Sequence, residues 1–588
     1  MKERSAFIVH RSASVVQRSE EALPPAYARE DFLAARLRVA RVLPYQLSRA
    51  PFVSNLMLAI SSGLLLVFAF PDWGLWSLAW VGTAPLIMAV VRAQRFWRCL
   101  LLGTITGTIF YVGSSSWVTY SMHNYGDVPL WLSYILATVA ALVLGLFTGS
   151  FAALLAFLVK RLGGWAMLAA PLIWPASELA RIQVTGMGWN ALGYSQAFQP
   201  AVIQVARWGG VYAVSAMLVA ASAALVFAVV YLERRRGLVV FMTTGVVVIA
   251  AVVYGASIRP VVQSERAAEA SLTVAVVQPN VPVAGDWSDP RFVDSLVARH
   301  FFLSEQALRA AAVQVSSDTQ IDADARRNAA NSAFLIVWPE SPMNWEYERD
   351  EALRSRVEEF TRKHGAYLLM NSWGFPQTPA AGSVVYNSAI LIGPSGELIS
   401  RYDKLALMPF GEYVPARGVI PFMDRVPALV QDVTAGASLR LSEAGGAKIG
   451  TPICFEATRP ELVRRMRREG ASVLVQLSNE SWFGPSAVSR QMLAHAVLRA
   501  VENDVSLIRA TNSGGSVWVD RYGQPHDETQ RFETATRGWK AETADEANVR
   551  PLTFYARYGD VFAAACAVVS AVLTIAALVP KRSRGSEV

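Results

Sequence analysis

Reactive side chains follow strand-like segments at three points in the second half of the chain. Cys454 ends an apolar segment at 448–454, and helix-like sequence follows it. Glu340 ends a second such segment, and Lys404 comes just after a third. The carboxyl ends of strands are where α/β folds gather their sites. A cysteine at a strand-to-helix turn is well presented as a nucleophile, so we expect these three side chains to meet.

The three residue types together suit acyl transfer. A thiolate is the working nucleophile, so a cysteine needs a base or a cation nearby. A carboxylate can take the thiol proton and later return it to a leaving group. An ammonium can stabilise the tetrahedral oxyanion, helped by the backbone N–H that follows the cysteine. Glu340, Lys404 and Cys454 would form a complete set for this chemistry.

Each of these residues also has a purely structural interpretation. Cys454 could be a small buried apolar residue, which is the commoner use of cysteine at a strand end. Glu340 could cap a helix, and Lys404 could be a solvated turn residue. Glu412 and Glu456 could be ion-pair partners for the many arginines. Only the joint occurrence of the three reactive types favours catalysis.

The composition indicates a membrane part joined to a water-facing part. Of 588 residues, 53% are hydrophobic and 17% are charged, which is too apolar for an ordinary soluble protein and too charged for a purely membrane one. The net charge of +8 does not indicate nucleic acid, because the Lys and Arg clusters flank apolar runs. Three scattered cysteines form neither a disulfide framework nor a metal-ligand spacing. We expect no metal, cofactor or nucleic-acid partner.

Several apolar segments approach the ~20 residues that a membrane span requires. The eight candidates lie at about 53–70, 75–91, 99–119, 130–159, 164–181, 209–232, 238–258 and 560–579, of which 164–181 is the weakest. Arg and Lys cluster in alternate connections, whereas the loops at 71–74 and 121–128 carry neither. By the positive-inside rule, this alternation predicts that both termini are cytoplasmic.

The charge pattern divides the chain into five parts. These are a polar, Arg-rich cytoplasmic tail at 1–50, a membrane domain of seven helices at 51–258, an extracytoplasmic domain at 259–558, a last transmembrane helix at 559–580 and a cytoplasmic tail at 581–588. Strand-like and helix-like segments alternate in 259–558, which predicts an α/β domain. Within it, 313–331 is polar and typical of a surface insertion.

Several motifs resemble those of the nitrilase superfamily, whose triad is Glu, Lys and Cys, and more closely those of the apolipoprotein N-acyltransferases. The resemblance runs from about residue 53 to 580. It rests on Trp338-Pro-Glu340, Tyr402-Asp-Lys404, Leu407-Met-Pro-Phe-Gly-Glu-Tyr-Val-Pro415, Pro452-Ile-Cys-Phe-Glu456, Ser478-Asn-Glu-Ser-Trp-Phe-Gly484 and Arg509-Ala-Thr-Asn-Ser-Gly514. In the membrane part, Trp117-Val-Thr-Tyr-Ser-Met-His123 and Gly188-Trp-Asn-Ala-Leu-Gly-Tyr194 also resemble the family.

The resemblance implies a fold and a reaction. The fold is a nitrilase-like αββα sandwich on the periplasmic side of the bacterial inner membrane, carried by a polytopic helical membrane domain of about eight spans. The reaction transfers an acyl chain from a membrane phospholipid, through a Cys454 thioester, to the N-terminal α-amine of diacylglyceryl-cysteine lipoproteins. This would be the last step of lipoprotein maturation.

The resemblance also implies roles for individual residues. Glu340 would be the general base, and Lys404 would stabilise the oxyanion. Glu412 would orient one of these two side chains, and Glu456 would support the adjacent loop. Phe455 follows the nucleophile at a position where close relatives often carry tyrosine.

Apolar aromatic loops could enter the bilayer, and their aromatic residues are candidates for contact with acyl chains. Trp287, Trp482 and Phe483 are the three chosen, although plain core packing is the alternative for each. Glu178 and Arg181 lie three residues apart near the end of a predicted span. Charges within a membrane are often functional, but here we expect a structural ion pair.

Two other functions remain open at this stage. A membrane-anchored amidase would use the same triad with water as the acceptor, although one anchor would suffice for a soluble substrate. A non-catalytic lipid-binding or assembly protein could retain the fold without the reaction. The joint presence of Glu340, Lys404 and Cys454 argues against the second.

Overall fold

The computed structural model describes most of the chain between residues 51 and 579. The described ranges are 51–231, 235–258, 271–318, 334–341, 343, 345–376, 384–415, 417, 432–543 and 550–579. The predicted tails at 1–50 and 581–588 lie outside them. Part of the predicted insertion at 313–331 also lies outside, but its first residues continue a helix that ends at Asp318.

Helices form the first part of the described chain and return at its end. They are α1 (Phe52–Ala69), α2 (Ala79–Gly82), α3 (Ala84–Ala93), α4 (Phe96–Ser115), α5 (Val118–Asn124), α6 (Leu130–Leu162), α7 (Ala170–Thr185), α8 (Pro200–Ile203), α9 (Ala206–Val230), α10 (Arg235–Ser257) and, after the α/β domain, α15 (Phe554–Tyr558) and α16 (Val561–Leu578). Among the described residues, seven helical segments are long and apolar enough to cross a membrane. They are α1, the segment Trp76–Ala93, α4, α6, α9, α10 and α16.

One expected span is shorter than predicted. At 164–181 the structure has a 3-10 turn, Gly164–Ala169, followed by the 16-residue helix α7. Helix α7 contains Pro175 and buries Glu178 and Arg181, so it lacks the continuous apolar run of a full span. It packs inside the bundle against α9 and α16. The described residues therefore contain seven helices of spanning length, against eight expected.

Glycines let α4 and α6 approach closely. A methyl group on Gly107 would lie 2.7 Å from the Cα atom of Gly145, and one on Gly103 would lie 2.6 Å from the carbonyl oxygen of Thr148. Lipid supplies no hydrophobic drive for helices to associate, so small residues and close packing stabilise such contacts. This pair forms the most extensive helix–helix contact in the bundle.

The α/β domain contains two six-stranded sheets. Their strands are β1 (Ser271–Gln278), β2 (Phe334–Val337), β3 (Tyr367–Gly374), β4 (Tyr386–Ile392), β5 (Leu398–Asp403), β6 (Ser442–Ala444), β7 (Ala447–Gly450), β8 (Val473–Ser478), β9 (Leu507–Thr511), β10 (Val517–Val519), β11 (Pro525–His526) and β12 (Ala535–Glu542). The strand orders are β12-β1-β2-β3-β4-β5 and β11-β10-β9-β8-β7-β6. Pairing is parallel for β1–β2–β3 and for β7–β8–β9.

The two sheets pack face to face, with helices on their outer faces. The helices of this domain are α11 (Pro290–Asp318), α12 (Glu351–His364), α13 (Pro460–Arg468) and α14 (Val488–Asn503). Along β1, Val274 and Val276 belong to the core between the sheets, whereas Ala275 and Val277 pack beneath α11 and α12. This alternation follows from the two-residue period of a strand. The αββα sandwich expected from the sequence is confirmed, while the domain boundaries at 259 and 558 stay predictions.

Candidate active site

Cys454 lies at a tight turn between a strand and a helix. The ladder of β7 ends at Gly450, one further bridge joins Ile453 to Leu477, and a 3-10 turn begins at Cys454 itself. The φ angle of Cys454 is 47°, in the left-handed region that few non-glycine residues adopt. Such a conformation persists only where the surroundings fix it. The turn leaves the cysteine half-buried, with its side chain toward the carboxyl ends of the strands.

Glu340 and Lys404 approach this turn from the other sheet. Glu340 follows β2, and Lys404 follows β5 directly. The Lys404 Nζ atom lies 3.5 Å from Oε1 of Glu340. The Lys404 side chain is only 1% exposed, so the ammonium is removed from water and its partners are fixed. Carboxylate and ammonium thus meet beside the cysteine, as the sequence predicts.

Glu412 and Asn387 complete a buried polar network around the lysine. Lys404 Nζ donates a hydrogen bond to Oε1 of Glu412 at 2.9 Å. The Asn387 amide donates to Glu412 at 2.8 Å and to Glu340 at 3.0 Å, so it bridges the two carboxylates. Asn371 donates in turn to Oδ1 of Asn387 at 2.7 Å. Every member of this network is held by another member.

Burial and neighbouring charges shift the pKa values of Cys454, Glu340 and Lys404. Burial raises the pKa of Cys454 well above its usual range, and Glu340 raises it further, while Lys404 opposes both. Burial also raises the pKa of Glu340; Lys404 lowers it, Glu412 raises it, and hydrogen bonds with Asn387 and Cys454 lower it. Burial alone would lower the pKa of Lys404, but Glu412, Glu340 and Cys454 raise it overall. Burial therefore favours the thiol form of Cys454, and the neighbouring carboxylates favour the charged form of Lys404.

Glu456 ties the nucleophile turn to the lysine loop. Its Oε1 atom accepts hydrogen bonds from the Tyr402 hydroxyl at 2.8 Å and from the backbone N–H groups of Leu405 and Ala406 at 2.7 and 3.1 Å. Its Oε2 atom accepts from the N–H of Ile453 at 2.8 Å. The carboxylate is fully buried, so these bonds replace its hydration.

A second buried ion pair, between Arg509 and Glu480, acts electrostatically on Cys454. Arg509 Nη2 lies 2.6 Å from Oε1 of Glu480, and neither side chain is more than 1% exposed. The Arg509 guanidinium also donates to the carbonyl oxygen of Gly515 at 2.6 Å. Glu480 raises the pKa of Cys454, behind burial and Glu340 in size. These residues belong to the two further family-like segments, 478–484 and 509–514.

Phe455 joins the nucleophile turn to the membrane part. It is 3% exposed and packs in a cluster with Trp117, Trp189, Val488 and Met492. Trp117 follows the end of α4, and Trp189 follows α7. The side chain next to Cys454 is therefore surrounded by residues of both parts of the molecule.

Two of the three predicted acyl-contact aromatics lie at the same junction. Phe483 packs against Trp117 with ring centroids 4.9 Å apart. The ring of Trp482 lies 5.1 Å from that of Tyr125, and its carbonyl oxygen accepts a hydrogen bond from Ser121 at 2.6 Å. Trp287 contacts its own segment instead: its indole donates to the carbonyl oxygen of Val283 at 3.1 Å.

Glu178 and Arg181 do not form the expected ion pair. Arg181 donates to the carbonyl oxygens of Met187 and Trp189 at 2.8 and 2.7 Å. Glu178 accepts from the Trp174 indole and from the N–H of Leu192, both at 2.8 Å. Both side chains form hydrogen bonds with backbone groups of the loop after α7. Such groups require partners inside the bundle, because lipid offers none.

Two residues of the site region, Asn387 and Gln491, are not predicted from the sequence. Asn387 is one polar residue near the start of the apolar strand β4, which is the only signal that it offers. Gln491 follows Ser489 and Arg490 on α14, so one more polar residue there gives no signal of its own. Among the residues that the structure describes, no group of His, Cys, Asp and Glu side chains could hold a metal ion.

Two family models match the chain. Residues 62–224 match the apolipoprotein N-acyltransferase N-terminal domain, and residues 273–537 match the carbon-nitrogen hydrolase family. The first model covers most of the helical bundle, and the second covers the two sheets and the site. The expected resemblance to both families is confirmed.

Full-length relatives agree with these models. The chain is 32% identical to the apolipoprotein N-acyltransferase of Geobacter metallireducens, over 90% of this chain and 95% of that one. It is 26% identical to that of Chlorobaculum tepidum, over 89% and 97% of the two chains. An amidase from Nesterenkonia sp. of known structure is 20% identical, covers 47% of this chain and 93% of its own, and has a TM-score of 0.30.

Proposed function

Since the chain belongs to the apolipoprotein N-acyltransferase family, we propose that it moves an acyl chain from a membrane phospholipid to the N-terminal amine of diacylated lipoproteins. The observation that carries this proposal is the convergence of Glu340, Lys404 and Cys454 at a site packed against membrane helices. It is a nitrilase-superfamily enzyme with a membrane domain. The catalytic domain would face the periplasm from the inner membrane, as the charge pattern predicts.

In the first half-reaction, Glu340 takes the proton from the Cys454 thiol as sulfur attacks the ester carbonyl of the phospholipid. The raised pKa of Glu340 makes it a better base, and that of Cys454 keeps the thiol protonated until the attack. Lys404 stabilises the oxyanion that develops on the carbonyl oxygen. The C–O bond then breaks, Glu340 returns the proton to the leaving alkoxide, and a lysophospholipid departs.

The second half-reaction resolves the Cys454 thioester. The α-amine of the diacylglyceryl-cysteine attacks the thioester carbonyl while Glu340 accepts an amine proton. The C–S bond breaks, and the sulfur recovers its proton from Glu340. The products are an amide on the lipoprotein and the free enzyme. Glu412 holds Lys404, and Glu456 fixes the loop that carries it.

Labelled phospholipid tests the proposal directly. Purified protein in lipid is mixed with phospholipid carrying labelled acyl chains, and label on the protein is measured before and after addition of a diacylated lipopeptide. We expect a hydroxylamine-sensitive label on wild type that moves to the lipopeptide amine. Cys454→Ala should abolish it, and Cys566→Ala, which removes a buried cysteine of α16, should not.

Other outcomes would overturn the proposal. Label that forms but is lost only to water would favour a membrane-anchored hydrolase. A folded wild-type protein that takes no label from several phospholipids would exclude the proposed donor step. Label that persists in Cys454→Ala would exclude the proposed nucleophile.

A further inference from the structure

Gln491 is a single buried side chain that contacts several separate segments of the membrane part. It lies on α14 and is 1% exposed. Its Oε1 atom accepts hydrogen bonds from the indole N–H groups of Trp117 at 3.1 Å and Trp189 at 2.7 Å. Its Nε2 atom donates to the carbonyl oxygens of Pro71 at 3.1 Å and Ser114 at 2.7 Å.

The chemistry of these partners fixes the orientation of the amide. An indole N–H can only donate, and a backbone carbonyl can only accept. Rotating the amide by half a turn would place donor against donor and acceptor against acceptor. Glutamine has two N–H donors and an oxygen with two lone pairs, so the four contacts use its whole hydrogen-bonding capacity. No other residue type of this size can make the same set.

The shared oxygen places the two indoles side by side next to the nucleophile. The ring centroids of Trp117 and Trp189 are 5.0 Å apart, and both side chains pack in one cluster with Phe455. Phe455 is bonded directly to Cys454 through the backbone. Phe483 extends the cluster from the other side of Trp117. We call Trp117, Trp189, Phe455 and Phe483 the aromatic wall.

The aromatic wall has an open side. Phe483 is only half-buried, and so are Met187 and Met408, which pack against the same cluster. A chain bonded to the sulfur of Cys454 must leave the site past these side chains or past the polar network of Lys404. An alkyl chain avoids buried charges, so the apolar side is the favourable route.

We propose that Gln491 is a positioning residue that holds Trp117 and Trp189 as the wall against which the acyl chain of the donor lies. This inference rests on the proposed function and deepens it. Without the shared oxygen, each indole N–H would be buried without a partner, and the rings would rotate to find one. The wall would then lose its fit to a long acyl chain, while the triad would keep its own contacts.

A series of soluble esters separates this role from a general structural one. The rate of Cys454 acylation is measured with p-nitrophenyl acetate and p-nitrophenyl palmitate, in the full-length protein. For Gln491→Met we expect kcat/KM for the palmitate to fall roughly 10- to 100-fold, mostly through KM, and that for the acetate to stay within about twofold. Trp189→Phe keeps an aromatic ring at this position but removes the indole N–H, so it should change the same ratio less.

Gln204 offers a matched control. It is also a buried glutamine at the junction. Its amide donates to the carbonyl oxygens of Pro200 and Tyr522, both at 2.8 Å, and neither partner belongs to the aromatic wall. Gln204→Met should lower thermal stability without changing the palmitate-to-acetate ratio. A Gln491→Met protein that loses both activities equally, or neither, would overturn the inference. A folded wild type that neither ester acylates and that takes no label from phospholipid would overturn the proposed function, and the inference with it.

Discussion

The Lys404 ammonium lies closer to Glu412 than to Glu340, at 2.9 Å against 3.5 Å. Glu412 is therefore the nearer counterion of the lysine. Because the two carboxylates have different partners in one buried site, we predict that they have different tasks, with Glu340 as the proton acceptor. This division can be tested by changing each residue separately.

Replacing Glu412 by glutamine should move the acid limb of activity. Burial has the largest effect on the pKa of Glu340 and raises it, and Lys404 has the next largest and lowers it. Glu412 comes third and raises this pKa, so removal of its charge should lower it. We expect the acid limb of Cys454 acylation by p-nitrophenyl acetate to shift to lower pH. The plateau rate should also fall roughly 100-fold, since Lys404 loses its main partner. An acid limb that is unchanged, or that moves to higher pH, would contradict the assignment.

Replacing Glu340 by glutamine should remove the base and keep the fold. A positioned general base contributes about 10²–10⁴-fold, so thioester formation on Cys454 should slow by that factor. The glutamine oxygen can still accept from Asn387, so the thermal transition should change little. Glu346→Gln is a suitable control, because Glu346 lies on the following loop with its side chain 47% exposed. Thioester formation at the wild-type rate would exclude Glu340 as the base.

Glu456→Gln should act on stability more than on chemistry. The carboxylate accepts four hydrogen bonds, and an amide nitrogen in place of one oxygen would face a buried donor. We expect a loss of roughly 3 kcal/mol in the free energy of unfolding. Tyr402→Phe removes only one of the four bonds and should cost about 1 kcal/mol. Thermal unfolding in detergent measures both; equal losses for the two variants would contradict this account.

His300 makes stability depend on pH. Burial lowers the pKa of His300 to about 4, and its ring packs against Trp338, close to Glu340 in the chain. The unfolded histidine titrates near 6.5, so between these values the unfolded state binds a proton that the folded state does not. The free energy of unfolding should therefore decrease as the pH is lowered from about 6.5 to about 4, by up to about 3 kcal/mol. His300→Gln should have a shallower dependence in thermal unfolding between pH 7 and pH 4, and an equal slope would contradict the assignment.

The sequence predicts the strands and the placing of Glu340, Lys404 and Cys454 at strand ends better than it predicts the residues that contact them. Glu340, Lys404 and Cys454 stand within four residues of the carboxyl ends of β2, β5 and β7, and α/β folds gather their sites at such ends. The Gly-Pro-Ser-Gly turn at 393–396 likewise marks the hairpin of β4 and β5. Local signals suffice where local structure decides the position.

Partners that come from distant segments give no such signal. Asn387 meets both carboxylates only because the register of β4 with β5 places it there. Arg181 and Glu178 of α7 form hydrogen bonds with the backbone of the segment that follows the helix. Hydropathy does not register these contacts, so it predicts a longer span than the structure shows. Trp287 lies in a turn and Phe483 ends a short 3-10 helix, and only the tertiary fold brings Phe483 to the site.

The contacts of Gln491 also set an order for biogenesis. Its partners precede it in the chain by 302 to 420 residues. At the usual rate of synthesis, the ribosome needs roughly 15–80 s to cover that distance. During this interval the indole and carbonyl groups of the bundle lack the hydrogen bonds that Gln491 later provides. The helical bundle therefore reaches its final packing only after α14 has been synthesised and has docked against it.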